Sequence, residues 1–218
     1  AAVTAAGAGD VISVCPGTYN ENPAIDKSLT LQSTGGRDVT IIQLPTSAGG
    51  YPYGAIELSG PNKNITIDGF TVRGNDGTGS TIGNANIMLG NASGMLANSN
   101  VVLTNNKILI GKIDFILDYS DSIGVTTTYT TTQAEYLNSL TMTNNIIENL
   151  GAGQAQRPYY VNPGTRTFTF QNNQINGNFQ RWAVSEADTT AITGNVFAGT
   201  NPSGGFGVND GGSSTYNG

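Results

Sequence analysis

Six acidic side chains and two arginines are the residues of this sequence best suited to joint chemistry. Asp114, Asp118, Asp121, Glu186, Asp188 and Asp210 fall in or beside segments of one recurring kind, and Arg157 and Arg181 lie close to them in the order of repeats. Carboxylates of this sort do two things. A pair with separated pKa values performs acid–base catalysis, and a convergent group binds a hard cation, which takes roughly six to eight oxygens. Asp118, Asp121 and Glu186 are the candidate Ca²⁺ ligands. They lie on different repeats, so the fold decides whether they meet. The bland alternative is a set of scattered acids that keeps an acidic surface soluble. The chain has no histidine, which removes Ser-His-Asp hydrolysis and histidine metal centres. Its one cysteine, Cys15, cannot form an internal disulfide. It reads as a half-buried side chain beside a turn, or as an intermolecular cross-link.

The elements that position these groups follow from composition and pattern. Charged residues make up 11% of the chain, against about 25% in ordinary globular domains, and Gly, Asn and Thr fill the difference. That is the balance of a turn-rich β protein. The 9 basic residues against 15 acidic ones leave no basic stripe for nucleic acid, and no apolar run is long enough for a membrane span.

Five stretches repeat one pattern: "NITIDGFTV" from Asn64, "NVVLTNNKI" from Asn100, "SLTMTNNII" from Ser139, "TFTFQNNQI" from Thr167 and "TTAITGNVF" from Thr189. Each has alternating inward residues such as Ile65/Ile67, Leu140/Met142 and Phe168/Phe170. An Asn- or Gly-rich pair follows, and then an apolar residue returns to the core (Val72, Ile147, Ile175). Asn and Gly suit a left-handed bend. Between these repeats lies a second strand type with the inward pairs Ile56/Leu58, Ile87/Leu89, Phe115/Leu117, Tyr159/Val161, Trp182/Val184 and Phe206/Val208. The column Leu31, Ile67, Leu103, Met142, Phe170, Ile192 recurs at intervals of 22 residues or more. That is too long for hairpins and fits a solenoid whose strands pair in parallel.

The expectation is therefore one all-β domain over residues 1–218, a single-stranded parallel β-helix of about six to seven coils. Residues 1–9 would form a short N-terminal cap, residues 119–138 a long loop insertion and residues 211–218 a flexible tail. Asn106, Asn145, Asn173 and Asn195 occupy equivalent corners and are expected to stack as an amide ladder. Phe70 takes that place in the repeat before. A ladder satisfies every buried amide, whereas a lone one would cost roughly 1–3 kcal/mol.

"GDVISVCPGTYNENPAIDKSLTLQSTGG", residues 9–36, resembles the opening coils of right-handed parallel β-helix proteins of the pectate-lyase-like superfamily. The later "NN-x-I" repeats resemble the generic parallel β-helix repeat of secreted and cell-surface proteins. The resemblance implies a right-handed helix and an extracellular or cell-surface location, and it spans lyases, hydrolases, esterases and inert spacers. Within it, "GKIDFILD" (111–118), "GTYNE" (17–21) and "QRPYY" (156–160) resemble segments of pectin methylesterases. That likeness would make Asp114 the nucleophile and Arg157 its partner. The family's second carboxylate has no counterpart, because "IMLGNASGMLAN" stands in its place. Lyases of this fold use Arg or Lys as the base and Ca²⁺ on carboxylates, which brings in Arg181.

The 119–138 insertion and the tyrosines near it offer stacking surfaces for sugar rings: Tyr160, which alternates outward, with Tyr129 and Tyr136. "TTTYTTT" lies in a single loop, whereas a threonine array for ice would need threonine on one face of several coils. The leading expectation is a non-catalytic module with a structural, self-assembling or carbohydrate-contacting role. Its partners would be polysaccharide or copies of itself, and it would need no cofactor unless Ca²⁺ binds. The alternative is a polysaccharide-active enzyme.

Overall fold

The computed structural model describes residues 2–45, 55–73, 85–89, 96–110, 121–125, 137–149, 159–161, 165–177, 183–185, 187–198, 208–210 and 213–217. Among the described residues, a one-turn helix, α1 (Ala2–Ala5), leads into twenty-two strands. In chain order these are β1 (Asp10–Val14), β2 (Gly17–Asn20), β3 (Ala24–Ile25); β4 (Leu29–Ser33), β5 (Thr40–Gln43), β6 (Ile56–Leu58); β7 (Asn64–Asp68), β8 (Thr71–Arg73), β9 (Ala85–Leu89); β10 (Asn100–Thr104), β11 (Lys107–Ile110), β12 (Asp121–Val125); β13 (Leu137–Thr143), β14 (Ile146–Asn149), β15 (Tyr160–Val161); β16 (Thr165–Gln171), β17 (Gln174–Asn176), β18 (Ala183–Ser185); β19 (Thr189–Thr193), β20 (Val196–Ala198), β21 (Val208–Asp210); and β22 (Ser213–Asn217). The chain visits three sheets in strict rotation. Sheet A holds β1-β4-β7-β10-β13-β16-β19-β22, sheet B β2-β5-β8-β11-β14-β17-β20, and sheet C β3-β6-β9-β12-β15-β18-β21. Neighbouring strands in every sheet run parallel.

Register turns sequence alternation into continuous columns. Ile12, Leu31, Ile67, Leu103, Met142, Phe170, Ile192 and Tyr216 occupy one register column of sheet A. Sheet B supplies Ile42, Val72, Ile108, Ile147 and Ile175, and sheet C supplies Ile25, Leu58, Leu89, Val125 and Val161. Wherever their burial is described, the aliphatic residues from Ile25 and Leu31 to Ile175 on these columns are buried. Each full burial of such a side chain is worth about 1.5–3 kcal/mol, and like sizes stacked on like leave few voids.

Four expectations change. The third-sheet strand described after β11 is β12, inside the segment read as a loop, whereas 114–119, read as that strand, lies outside the described residues. "DSIGV" places Ile123 opposite Ile87 and Val125 opposite Leu89 and Val161, so the register of the sheet selects it. Phe115 and Leu117 lie outside the described residues. In β18 the residue opposite Val161 is Ser185, and Val184 is opposite Tyr160. A polar residue holds this inward place because the Ser185 and Thr190 hydroxyls, 2.7 Å apart, share a hydrogen bond. Residues 211–218, expected as a flexible tail, include β22, paired in register with β19. Cys15 is exposed rather than half-buried, and Tyr19 Oη donates to its carbonyl at 2.9 Å.

At the N-terminus, Val3 of α1 packs against the core and the Gly9 N–H donates to Ser28 O. Among the described residues, no helix is long and apolar enough to cross a membrane.

From β7 onward the corner between sheets A and B is two residues long, and its backbone explains its composition. The first residue has positive φ in five successive repeats: Gly69 (80°), Asn105 (54°), Asn144 (56°), Asn172 (53°) and Gly194 (62°). Asparagine tolerates this region better than other side chains, and glycine tolerates it best. A Cβ at Gly194 would also lie 2.4 Å from Asn172 Oδ1. Gly194→Ala is therefore expected to lose about 1–2 kcal/mol, and Asn105→Gly, measured by the same urea titration, is expected to be near neutral.

Candidate functional site

The second corner residue points inward. Phe70, Asn106, Asn145 and Asn173 are buried and Asn195 is half-buried. The Oδ1 atoms of successive Asn residues accept from the corner before: Phe70 N–H to Asn106 Oδ1 (3.0 Å), Asn106 N–H to Asn145 Oδ1 (2.9 Å), Asn145 N–H to Asn173 Oδ1 (2.8 Å) and Asn173 N–H to Asn195 Oδ1 (2.7 Å). The Nδ2 atoms donate to the carbonyls of Ile67, Leu103, Met142 and Phe170, at 2.8–2.9 Å. Two direct amide–amide bonds add to this, from Asn145 to Asn173 (2.9 Å) and from Asn173 to Asn195 (3.1 Å). Each buried amide is bonded at both its oxygen and its nitrogen, and each also satisfies a backbone N–H at the bend before it.

Four of the candidate chemical residues, Asp121, Tyr160, Asp188 and Asp210, are among those described. Asp114, Asp118, Arg157, Arg181, Glu186, Tyr129 and Tyr136 lie outside the described residues. Asp121 begins β12 opposite Ala85, and Tyr160 begins β15 between Gly124 and Val184. Asp121 and Tyr160 are thus on adjacent strands of sheet C. Asp210 lies opposite Ser185 in the same sheet, and Asp188 is exposed just after β18. Among the described residues, no three His, Cys, Asp or Glu side chains come close enough to hold a metal ion. On sheet B, Lys107 Nζ and Glu148 Oε2 are 2.9 Å apart and partly exposed. Surface pairs of this kind contribute at most about 1 kcal/mol.

Two features were not foreseen. Arg37, in the turn between β4 and β5, donates from Nη1 to Asn144 O at 2.8 Å, and its own carbonyl accepts from Thr71 Oγ1 at 2.7 Å. It lies across the outside of the corner, and nothing in its local sequence foretells contact with a residue 107 positions away.

The other is the outward face of sheet A. Its central column is Val11, Thr30, Thr66, Val102, Thr141, Thr169 and Ala191. On one side stand Asn64, Asn100, Ser139, Thr167 and Thr189. On the other stand Ser13, Gln32, Asp68, Thr104, Thr143, Gln171 and Thr193. All are half-buried or exposed, in alternation with the buried columns. Hydrogen bonds run along the face between strands: Asn100 Nδ2 to Asn64 Oδ1 (2.9 Å), Ser139 Oγ to Asn100 Oδ1 (2.8 Å) and Thr143 Oγ1 to Thr104 Oγ1 (3.0 Å). Among the described residues Asp68 is the only charge in the three columns, and Asn105 Nδ2 donates to it at 2.8 Å. The signal was present as "N-x-T-x-D", "S-x-T-x-T" and "T-x-T-x-Q", but only register converts five separate strings into a surface.

No protein-family model matches this chain, and neither does any curated protein.

Proposed function

We propose that this chain is a right-handed parallel β-helix of the pectate-lyase-like kind, acting as a non-catalytic module outside the cell or at its surface. Its role is to hold a rigid, elongated scaffold and to touch carbohydrate along sheet C, where Tyr160 is the leading contact and Tyr129 and Tyr136 are further candidates. The observation that carries this reading is the unbroken rotation through sheets A, B and C with like residues in register. Such stacking gives stiffness in one dimension and exposes long faces. The loops between sheets can then vary without disturbing the core.

The test is retention on a panel of insoluble and soluble polysaccharides. Wild type is expected to bind at least one, and Tyr160→Ala to weaken that binding about fivefold to tenfold, as the loss of one aromatic contact of about 1–1.5 kcal/mol implies. Parallel incubation with uronate polymers, with and without Ca²⁺, is expected to release neither unsaturated product nor methanol. Release of either would replace this reading with a lyase or esterase acting through Asp114, Arg157 or Arg181. Sizing at rising concentration measures self-association.

A further inference from the structure

We propose that the outward face of sheet A is an ice-adsorbing surface. The inference is independent of the carbohydrate reading, which concerns sheet C.

The first argument is periodicity. In-register parallel strands repeat at about 4.8 Å, and alternate residues along a strand at roughly 6.6 Å. The threonines Thr66, Thr141 and Thr169 sit at one register position, and Thr104 and Thr143 at the position two residues on. The face is therefore a two-dimensional array in which hydroxyl and methyl groups are interspersed with the amides of Gln32, Asn64, Asn100 and Gln171. Its two translations are near the oxygen repeats of hexagonal ice along two directions. The central column carries a methyl group at every described position, and hydroxyls recur within it and beside it. A methyl group orders the water around it, and a hydroxyl anchors that water by a hydrogen bond.

The second argument is charge. The chain carries 24 charged residues, 9 basic and 15 acidic, yet among the described residues Asp68 alone falls on these three columns, with Asn105 donating to it. Ice is neutral, and a bare charge would hold its own hydration shell against the crystal. The face matches a neutral partner. Protein partners are gripped through Trp, Tyr and Arg anchors, and sugar rings through aromatic stacking. No described residue of the three outward columns is of those types.

The third argument is preorganisation. The bonds linking Asn64, Asn100 and Ser139 at one margin, and Thr104 to Thr143 at the other, hold side chains in place before any contact. β-Branched residues add stiffness at χ1. Little rotamer freedom is then lost on adsorption, which favours binding to a rigid lattice.

The experiment uses the full chain in a nanolitre osmometer and an ice-recrystallisation assay. Wild type is expected to show a freezing gap and to arrest grain growth at micromolar concentration. Thr66→Lys and Thr169→Lys, on separate strands, are each expected to cut the effect at least fivefold, with circular dichroism unchanged. Gln174→Lys, exposed on sheet B, is expected to retain it. Three results would overturn the proposal: no activity in wild type, activity unaltered in both threonine variants, or equal loss in the sheet B variant. Retention on insoluble cellulose that the threonine variants abolish, without ice activity, would assign the face to a neutral glucan and overturn it as well. Loss of sheet C carbohydrate binding in Tyr160→Ala leaves the ice assay unmoved, so the two readings fail separately.

Discussion

Asn145→Leu is expected to destabilise the protein by about 3–5 kcal/mol, the largest effect of any single polar substitution at the corner. The side chain accepts from the Asn106 N–H and donates to Leu103 O and Asn173 Oδ1, all in the buried interior. Leucine matches asparagine roughly in size but leaves the buried N–H of Asn106 without its partner and takes the side-chain donor away from Leu103 O and Asn173 Oδ1. An orphaned buried group costs about 1–3 kcal/mol and each further lost hydrogen bond about 0.5–1.5 kcal/mol, and the gain in apolar burial offsets part of this. Urea denaturation followed by circular dichroism measures it. Asn64→Ala, at an exposed position of sheet A, should stay within about 0.5 kcal/mol and serves as the reference. A loss below about 1 kcal/mol for Asn145→Leu would mean that the amide column is dispensable.

The second large effect is expected at the aromatic centre. Tyr159, Phe168 and Phe170 are fully buried, with ring centroids 5.1, 4.9 and 6.0 Å apart in tilted pairs. Phe168→Ala and Phe170→Ala are each expected to cost about 3–5 kcal/mol, because a rigid stack closes poorly over a lost ring. The two lesions share one cavity, so the double variant should fall short of the sum of its parts. Phe168→Leu restores the type found opposite it at Leu140 and is expected to cost less than about 1.5 kcal/mol. Guanidinium titration of the four proteins checks the series, and additive losses would refute the shared cavity.

These two sites also show what could be read from the chain alone. The Asn106, Asn145 and Asn173 corner was legible because two constraints coincide there. Left-handed φ selects Asn or Gly at the first position, and a buried amide at the second survives only with a like residue above or below. Sheet A was legible for a similar reason, since Leu31, Ile67, Leu103 and Met142 alternate with polar neighbours over full strands. Sheet C was read less well. Its strands are two to five residues long, so alternation has little room to declare itself. "DFILDY" and "DSIGV" then compete on equal terms until pairing with Ile87 and Leu89 decides between them. Ser185, which follows Leu89, Val125 and Val161 in its column, was missed because its partner, Thr190, belongs to the next strand. The chemical residues were the least legible. Asp121 and Tyr160 are brought to neighbouring strands of one sheet, a juxtaposition that spacing of 39 positions in the chain does not encode.

The corner amides all face the same way. Every Oδ1 takes its hydrogen from the preceding corner, and every Nδ2 gives to a carbonyl of the preceding strand. For its corner N–H, each of these levels depends on the asparagine of its successor. A gene segment encoding one level can thus be copied in tandem, or deleted, and the junction heals with the same bonds so long as asparagine occupies the corner. Growth by duplication is built into this polarity, and the differing lengths between levels are what such a history would leave behind.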